Sequence, residues 1–405
     1  MDKAEDFDAE IFRSMEFISN PYPIYRELRN INPLIYLRNE RYYWILSYKD
    51  CSSVLSDLDY GKKFKRPYEE MTNSNVDDLQ HYDPRNPRRN MLFLDPPDHT
   101  RLRNLVAKAF VPKNIEKMRP FIRSLAEDLI KRVREGRDFD IMSGFAGPIP
   151  AYTIAKILGV PNRDMEKFKK WSDSAALSLD STRTREEYEE ARVADENLSL
   201  YISSLIDEKK KSHEDDLLSD LIAAEDSGEK LTHRELIATS TLLLVAGHET
   251  TTNLIGNGFL ALLRNRDQID ILREDRSLLK SAVEEFLRYD PPVQQTARAV
   301  YKSTVISGVE IKEGTKISAV IGSANRDPEV FENPDTLDIT RKDNKHLSFS
   351  KGIHFCIGSQ LARLEAEVAF DILMDHLSDA RLSAEPEWRN NANMHGMKTF
   401  LVKKN

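Results

Sequence analysis

A mainly α-helical protein with a smaller β-rich region is what the sequence predicts, on three observations. Apolar residues recur with helical periodicity over most of the chain from Asp98 to Leu287. Within that region the pattern from Thr232 to Arg264 would form a helix about 50 Å long at 1.5 Å per residue, the width of a whole globule. Strand-like segments are few and lie near the beginning and towards the end.

The elements follow in order. Leu34-Ile35-Tyr36-Leu37 and Tyr42-Tyr43-Trp44-Ile45-Leu46 flank the polar turn Arg38-Asn39-Glu40-Arg41 and read as a hairpin. From Tyr60 to Asn90 the pattern dissolves into Lys, Arg, Asp, Asn and Pro, and a patternless stretch of that length is functional or mobile. The helical region follows, with breaks expected at Pro161 and at Asp180-Ser181-Thr182. The long helix opens on a capping box, Thr232 with Glu235. Its middle carries Gly247 and Thr250-Thr251-Thr252, all poor interior helix formers, and local rules tend to fail at functional sites. After Pro291-Pro292 come strands at Val305-Ile306 and from Lys316 to Val320, then a last helix from Gly358 to Leu377. There is no internal repeat and no linker, so residues 1–405 read as a single domain.

Composition removes several classes. Lys plus Arg number 59 and Asp plus Glu 67, and a net charge of -8 argues against nucleic acid as the partner. Two cysteines, Cys51 and Cys356, build no disulfide framework and suit a reducing cytoplasm. The acidic start Met1-Asp2-Lys3-Ala4-Glu5-Asp6 does not resemble a secretory signal. No apolar run approaches the roughly 18 residues of a membrane span, so a cytoplasmic protein without a membrane partner is expected. With 40% hydrophobic residues the chain has ample material for a core.

The segment Phe349-Ser350-Lys351-Gly352-Ile353-His354-Phe355-Cys356-Ile357-Gly358 is the most informative. Taken alone, Cys356 would be a buried small hydrophobe. Its place at the entry to a helix, however, aims free N–H groups and the positive helix end at the sulfur, an environment that lowers a thiol pKa. Gly352 and Gly358 allow close backbone approach on either side. A lone thiolate cannot assemble a zinc or iron–sulfur site, but it suits one axial position of a haem. The spacing Phe-x-x-Gly-x-x-x-Cys-x-Gly, with His354 two residues before the cysteine, resembles the haem-binding loop of the cytochrome P-450 family. Ser350 stands where that family more often has Gly.

Three further segments carry the resemblance in the family's order. Glu285 and Arg288 lie three apart on one helix face, where a solvated pair is the ordinary outcome. The segment resembles the family's Glu-x-x-Arg motif, which implies a buried structural pair locked by Arg341. Ala246-Gly247-His248-Glu249-Thr250-Thr251 is not a zinc motif, since His-Glu-x-x-His would need His at Thr252. By itself Thr250 would bond its own helix. The stretch resembles the family's oxygen-activating segment, a distorted helix in which Ala246 and Gly247 border the cofactor, Gly247 leaves room for dioxygen, Thr250 hydrogen-bonds it and Glu249 passes protons inward. Asp95-Pro96-Pro97-Asp98-His99-Thr100-Arg101-Leu102-Arg103 resembles the segment opening the helix over one haem edge. His99 and Arg103 share a helix face, and with Arg298 and His354 they match positions that hold the two haem propionates. Each could instead be an ordinary surface cation.

What the resemblance implies is a cytochrome P-450 fold with haem b between the long helix and the cysteine loop. Phe349 and Gly358 border the cofactor, and Cys356 is the iron ligand, pushing electron density towards O–O cleavage. The implied reaction inserts one oxygen atom from O2 into a medium-sized, largely apolar organic substrate. Nothing resembles a flavin or iron–sulfur domain, so electrons come from a ferredoxin or flavodoxin with its NAD(P)H-dependent reductase. From His99 to Arg119 stand Arg101, Arg103, Lys108, Lys113, Lys117 and Arg119 against a single acid in that helical stretch, Glu116. Beside Lys351 and Arg363, these form the expected basic docking patch. The substrate wall falls on Tyr60 to Asn90, Ala175 to Ser181, Val245, Val293, Gln294 and Met394, where mobile loops carry specificity. A peroxide-driven peroxygenase and a non-catalytic haem sensor are the alternatives.

Overall fold

Thr232 starts the long helix, His233–Arg264, as its capping box dictates: its hydroxyl accepts from the Glu235 N–H at 3.2 Å, and the Glu235 carboxylate accepts from the Thr232 N–H at 2.9 Å. Every residue from Thr251 to Leu263 is buried. A helix covered on all sides is the axis of a core, and helices Pro148–Ile157, Met165–Ala176, Arg185–Lys209, Leu279–Tyr289 and Ser359–Leu377 pack around it. Gly258 lets one of these crossings close, because a Cβ there would lie 2.6 Å from the Phe370 ring. The computed structural model describes residues 6–7, 11–12, 14–38, 40–64, 90–177, 184–212, 214–226 and 231–404.

The β-rich region centres on a six-stranded sheet. Its strands run in the order Asp6–Phe7, Leu34–Leu37, Tyr42–Ile45, Lys316–Val320, Gln295–Val300 and Tyr60–Gly61. The expected hairpin is there, Leu34 opposite Ile45 and Leu37 opposite Tyr42, with Arg41 at φ 56° in its turn. Tyr42–Ile45 also pairs in parallel with Lys316–Val320, which joins the beginning of the chain to its last third. One side of the sheet is closed by an aromatic cluster of Phe12, Phe17, Tyr25 and Trp44.

Pro161 does mark a break, between helix Pro148–Ile157 and the short turn Asn162–Asp164. The expected break at Asp180-Ser181-Thr182 lies outside the described residues, as does the patternless stretch apart from Tyr60–Phe64 and Asn90. One expectation is refined. The region read as dominated by helical periodicity also contains a strand, Asp138–Asp140, which pairs antiparallel with Leu401–Lys403. Three residues are too short to set a period, and their partner lies some 260 residues on. The long helix runs as expected and is unbroken through Gly247. Two of its threonine hydroxyls bond backwards, Thr250 to the Ala246 carbonyl at 2.8 Å and Thr252 to that of His248 at 3.0 Å. Among the described residues no helix is long and apolar enough to cross a membrane.

Candidate active site

The cysteine loop is a backbone-tied turn leading into helix Ser359–Leu377. The Cys356 N–H donates to the Phe349 carbonyl at 2.8 Å and the Phe355 N–H to that of Gly352 at 3.1 Å. Gly352 has φ +66°, and a Cβ there would sit 2.6 Å from the Leu55 carbonyl oxygen, so only glycine fits. Arg363 lies 4.4 Å above the Phe349 ring and pairs with Glu284 at 2.6 Å, clamping the loop to helix Leu279–Tyr289. Cys356 keeps accessible surface, yet the protein around its sulfur is dense. Desolvation is the largest influence and holds the free thiol above its ordinary pKa, against the Gly358 N–H, Arg103, Arg363 and the Ser359 N–H, which pull it down. The expected lowering is therefore not what the free thiol shows: burial outweighs the helix end.

On the long helix, Gly247 opens onto free space, since a Cβ there would meet nothing within 4 Å, and the same holds for Gly358 at the other end of the chain. Glu249 is buried, accepting from the Asn253 amide at 3.3 Å with Arg389 Nε 3.5 Å from its Oε1. Arg389 itself reaches the surface, with 34% of its side chain exposed, so Glu249 sits one residue from solvent. His248 turns the other way, its Nδ1 2.9 Å from the Ser172 hydroxyl and its Nε2 3.3 Å from Asp173, and burial keeps its pKa below the ordinary value.

The four residues expected at the propionates come together from three distant segments. His99 is buried on helix Asp98–Ala107 with neither ring nitrogen partnered, and its ring lies 4.5 Å from that of His354. His354 Nε2 is also unpartnered, and burial followed by Arg298, Lys62, His99 and Arg103 drives its pKa to about 3. Arg298 is 2% exposed on strand Gln295–Val300 and donates only to the Thr296 hydroxyl and the Ala297 carbonyl. Arg103 donates to the Phe355 carbonyl at 2.6 Å, reaching the cysteine loop from the opposite side.

Beneath them lies a different kind of cluster. Glu285 and Arg288 have fully buried side chains and pair at 2.7 and 2.8 Å. Arg288 also donates to the carbonyls of Asn325, Pro334 and Thr336. Glu285 also accepts from Arg341 at 3.1 Å, Asn344 at 3.1 Å and the Asp338 N–H at 3.0 Å.

The cytochrome P450 family profile matches residues 154–397, more than half of the chain. The biotin-biosynthesis cytochrome P450 of Bacillus subtilis is 38% identical over 379 residues, 93% of each protein. Vitamin D(3) 25-hydroxylase of Pseudonocardia autotrophica is 39% identical over 357 residues, 87% of this chain and 85% of its own. The crystal structure of P450BioI in complex with hexadec-9Z-enoic acid ligated acyl carrier protein has a TM-score of 0.87 at 36% identity, covering 96% of this chain and 100% of that one. The chain belongs to the cytochrome P450 family.

As a cytochrome P450 it is a haem-thiolate monooxygenase of organic substrates, using dioxygen and electrons from redox partners, with haem b as its cofactor. The residues present fit that group. Among the described residues, three buried imidazole nitrogens without partners and an arginine in no ion pair suit two propionates, and the open sides of Gly247 and Gly358 suit a flat ring.

Several expectations for this P450 need correcting. The basic patch is smaller than the sequence count. Arg101 pairs with Glu235 at 2.6 Å, Arg119 with Glu116 and Glu367, and Arg363 with Glu284; Lys351 donates to the Ser52 hydroxyl. Acids far away in sequence reach these arginines, which no local charge count can register. Lys108, Lys113 and Lys117 stay exposed. Gln294 is buried, and its amide donates to the Tyr22 hydroxyl at 3.2 Å and the Pro291 carbonyl at 2.8 Å. Val245 and Met394 are buried, and an isolated antiparallel bridge joins Met394 to Val293. The expected wall segments 65–89 and 178–181 lie outside the described residues. A cavity of about 270 Å³ beside the C-terminal part of the long helix, lined by Arg26, Asn257, Arg264 and Asp335 among others, holds none of the expected site residues.

Sequence reasoning missed Lys62, Arg389 and Glu365. Glu365 lies on helix Ser359–Leu377 and is 2% exposed. Burial raises its carboxyl to about 8, against the Thr153 and Thr251 hydroxyls. An acid in an apolar helix pattern, nine residues after the cysteine, is the one signal that could have pointed to it.

Proposed function

We propose that Cys356 ligates the haem iron, that His99, Arg103, Arg298 and His354 hold the propionates, and that Glu249 and Thr250 deliver protons as a medium-sized, largely apolar substrate is oxygenated. The observation that carries this reading is the convergence, beside the cysteine loop, of imidazole and guanidinium groups that form no ion pair with a described carboxylate. When bound, haem supplies dioxygen activation and transfer of one oxygen atom. The chain's own residues do the rest. Phe349 and Arg363 stack to fix the loop, while the Gly358 and Ser359 N–H groups lie close enough to stabilise a thiolate. Ala246 and Gly247 leave the long helix bare where small reactants must pass. Glu249, beside surface-reaching Arg389, takes protons from solvent, and Thr250, one residue on, presents a hydroxyl whose lone pairs stay free while it donates to Ala246. Glu285, Arg288 and Arg341 hold the segment that leads into the cysteine loop.

The whole chain, residues 1–405, acts as one domain in this reading. Exposed Lys108, Lys113 and Lys117 steer a small acidic ferredoxin or flavodoxin, itself reduced by an NAD(P)H-dependent reductase. The substrate class is supported by relatives: one solved with hexadec-9Z-enoic acid on acyl carrier protein and one named for vitamin D(3), both long apolar skeletons with a polar end.

The test is spectroscopic first. The reduced, carbon monoxide-bound protein should show the red-shifted thiolate band, and Cys356→Ser should lose it; a variant that keeps the band overturns the ligand assignment. Glu249→Gln and Thr250→Ala should keep the band but divert NADPH into peroxide, with coupling to product falling about tenfold or more. Unchanged coupling in both removes the relay. Full turnover on hydrogen peroxide alone, without reductase, would favour the peroxygenase reading.

A further inference from the structure

Lys62 follows the short strand Tyr60–Gly61, in the polar stretch that the sequence assigns to the substrate wall. Pairing of that strand with Ala299 and Val300 carries the lysine into the cation cluster. Its Nζ donates to the Ala297 carbonyl at 3.0 Å and lies 3.4 Å from the Thr296 hydroxyl. Arg298 donates to the same two oxygens, at 3.0 and 3.1 Å. Two cations thus share two neutral acceptors. The nearest acid, Asp95, is buried and already accepts from the backbone N–H groups of Lys62 and Lys63 and from the Tyr301 hydroxyl. The unpartnered nitrogens of His99 and His354 adjoin the same place. Lys62 is half-buried, and setting a second cation against buried Arg298 gains nothing unless a further anion arrives. The same arrangement bears on the ammonium, which desolvation, then Arg298, bring down to about 7, with Asp95 only partly opposing them.

We propose that Lys62 is a further cofactor-anchoring residue, its ammonium binding a haem propionate carboxylate alongside Arg298 and His354. This rests on the haem reading of the site and adds a fifth group to it. A carboxylate could also come from an acidic substrate, but the company of Arg298, His99 and His354 places Lys62 at the cofactor edge.

The experiment compares holoprotein reconstituted with protohaem and with its dimethyl ester, in which both propionates are blocked. Haem release is followed by transfer to excess apomyoglobin, for wild type, Lys62→Gln and Lys62→Arg. One lost charge-assisted hydrogen bond should speed protohaem release from Lys62→Gln about tenfold. Lys62→Arg should stay within about twofold of wild type, since its guanidinium keeps the charge. With the dimethyl ester, Lys62→Gln and wild type should release at the same rate. Wild-type release of protohaem from Lys62→Gln, or equal acceleration of both haems, overturns the proposal. So does weaker binding of palmitic acid by Lys62→Gln with haem release unchanged, which would assign the ammonium to substrate. A wild-type chain that takes up no haem fails the site reading itself, an outcome plainly distinct from normal uptake with an indifferent Lys62.

Discussion

Two clusters of charged side chains in this P450 are built on opposite principles. Around Glu285, each carboxylate oxygen has at least two donors, and Arg288 is saturated by a carboxylate and three carbonyls. Around Arg298, cations and imidazoles gather, among the described residues, with one carboxylate, Asp95, which is occupied by backbone N–H groups and Tyr301. The first cluster is complete within the chain and holds its segments together. The second is complete only with an anion from outside. Satisfaction, rather than charge or burial, separates a structural ion network from a binding site.

The largest effect should come from breaking the closed cluster. Glu285→Ala strands Arg288 without its counter-charge and should cost about 3–5 kcal/mol, a large part of an ordinary protein's stability. Urea unfolding of the haem-free chain measures it. Arg298→Ala should leave the haem-free chain as stable as wild type or slightly more so, while weakening haem retention. Equal losses in both haem-free variants would break the comparison.

Glu365 is an intermediate case, a buried acid with one oxygen lacking a partner and a folded pKa of about 8, above the ordinary 4.5. Below pH 4.5 both folded and unfolded states hold the proton. Between 4.5 and 8 only the folded state does, so stability falls as pH rises, by at most about 1.4 kcal/mol per pH unit. Glu365→Gln should remove that slope, gaining over wild type at pH 8 and matching it near pH 4. Unfolding midpoints across this range read it directly, and a pH-independent difference would show that Glu365 is already ionised in the fold.

The smallest effect concerns Ser350, held at φ +61° where the family more often has Gly, its hydroxyl without a partner. A left-handed residue other than glycine costs about 1–2 kcal/mol, and glycine's extra chain freedom returns about half of that. Ser350→Gly should therefore stabilise the cysteine loop by about 0.5–1 kcal/mol. Slower amide exchange at Cys356 would report it, and faster exchange would show that the strain is relieved elsewhere.

The parts of this fold that were legible are those whose signals are local. The capping box, the hairpin and the cysteine loop each declare themselves within a dozen residues. Glu285 and Arg288 were legible as a pair, and their resemblance to a known motif carried Arg341 with them. Lys62 and Arg389 were not legible, because each acquires its role from partners more than 100 residues away, Lys62 from Arg298 and Arg389 from Glu249. The basic segment misled for the same reason, since Glu235 and Glu367 neutralise Arg101 and Arg119 from remote helices.

Glu235 has one carboxylate and two obligations: it closes the capping box of the long helix and holds Arg101, two residues after His99 on the neighbouring helix. The start of the helix that bears Glu249 and the helix that bears His99 are thereby tied through one pair of side chains. In descent, such a pair does not drift freely. A lineage that replaces Arg101 leaves Glu235 still needed as a cap but buried without its cation, and one that replaces Glu235 loses the cap and the tie together. Change at position 101 can therefore come first, followed by compensation nearby, whereas position 235 is the harder one to leave.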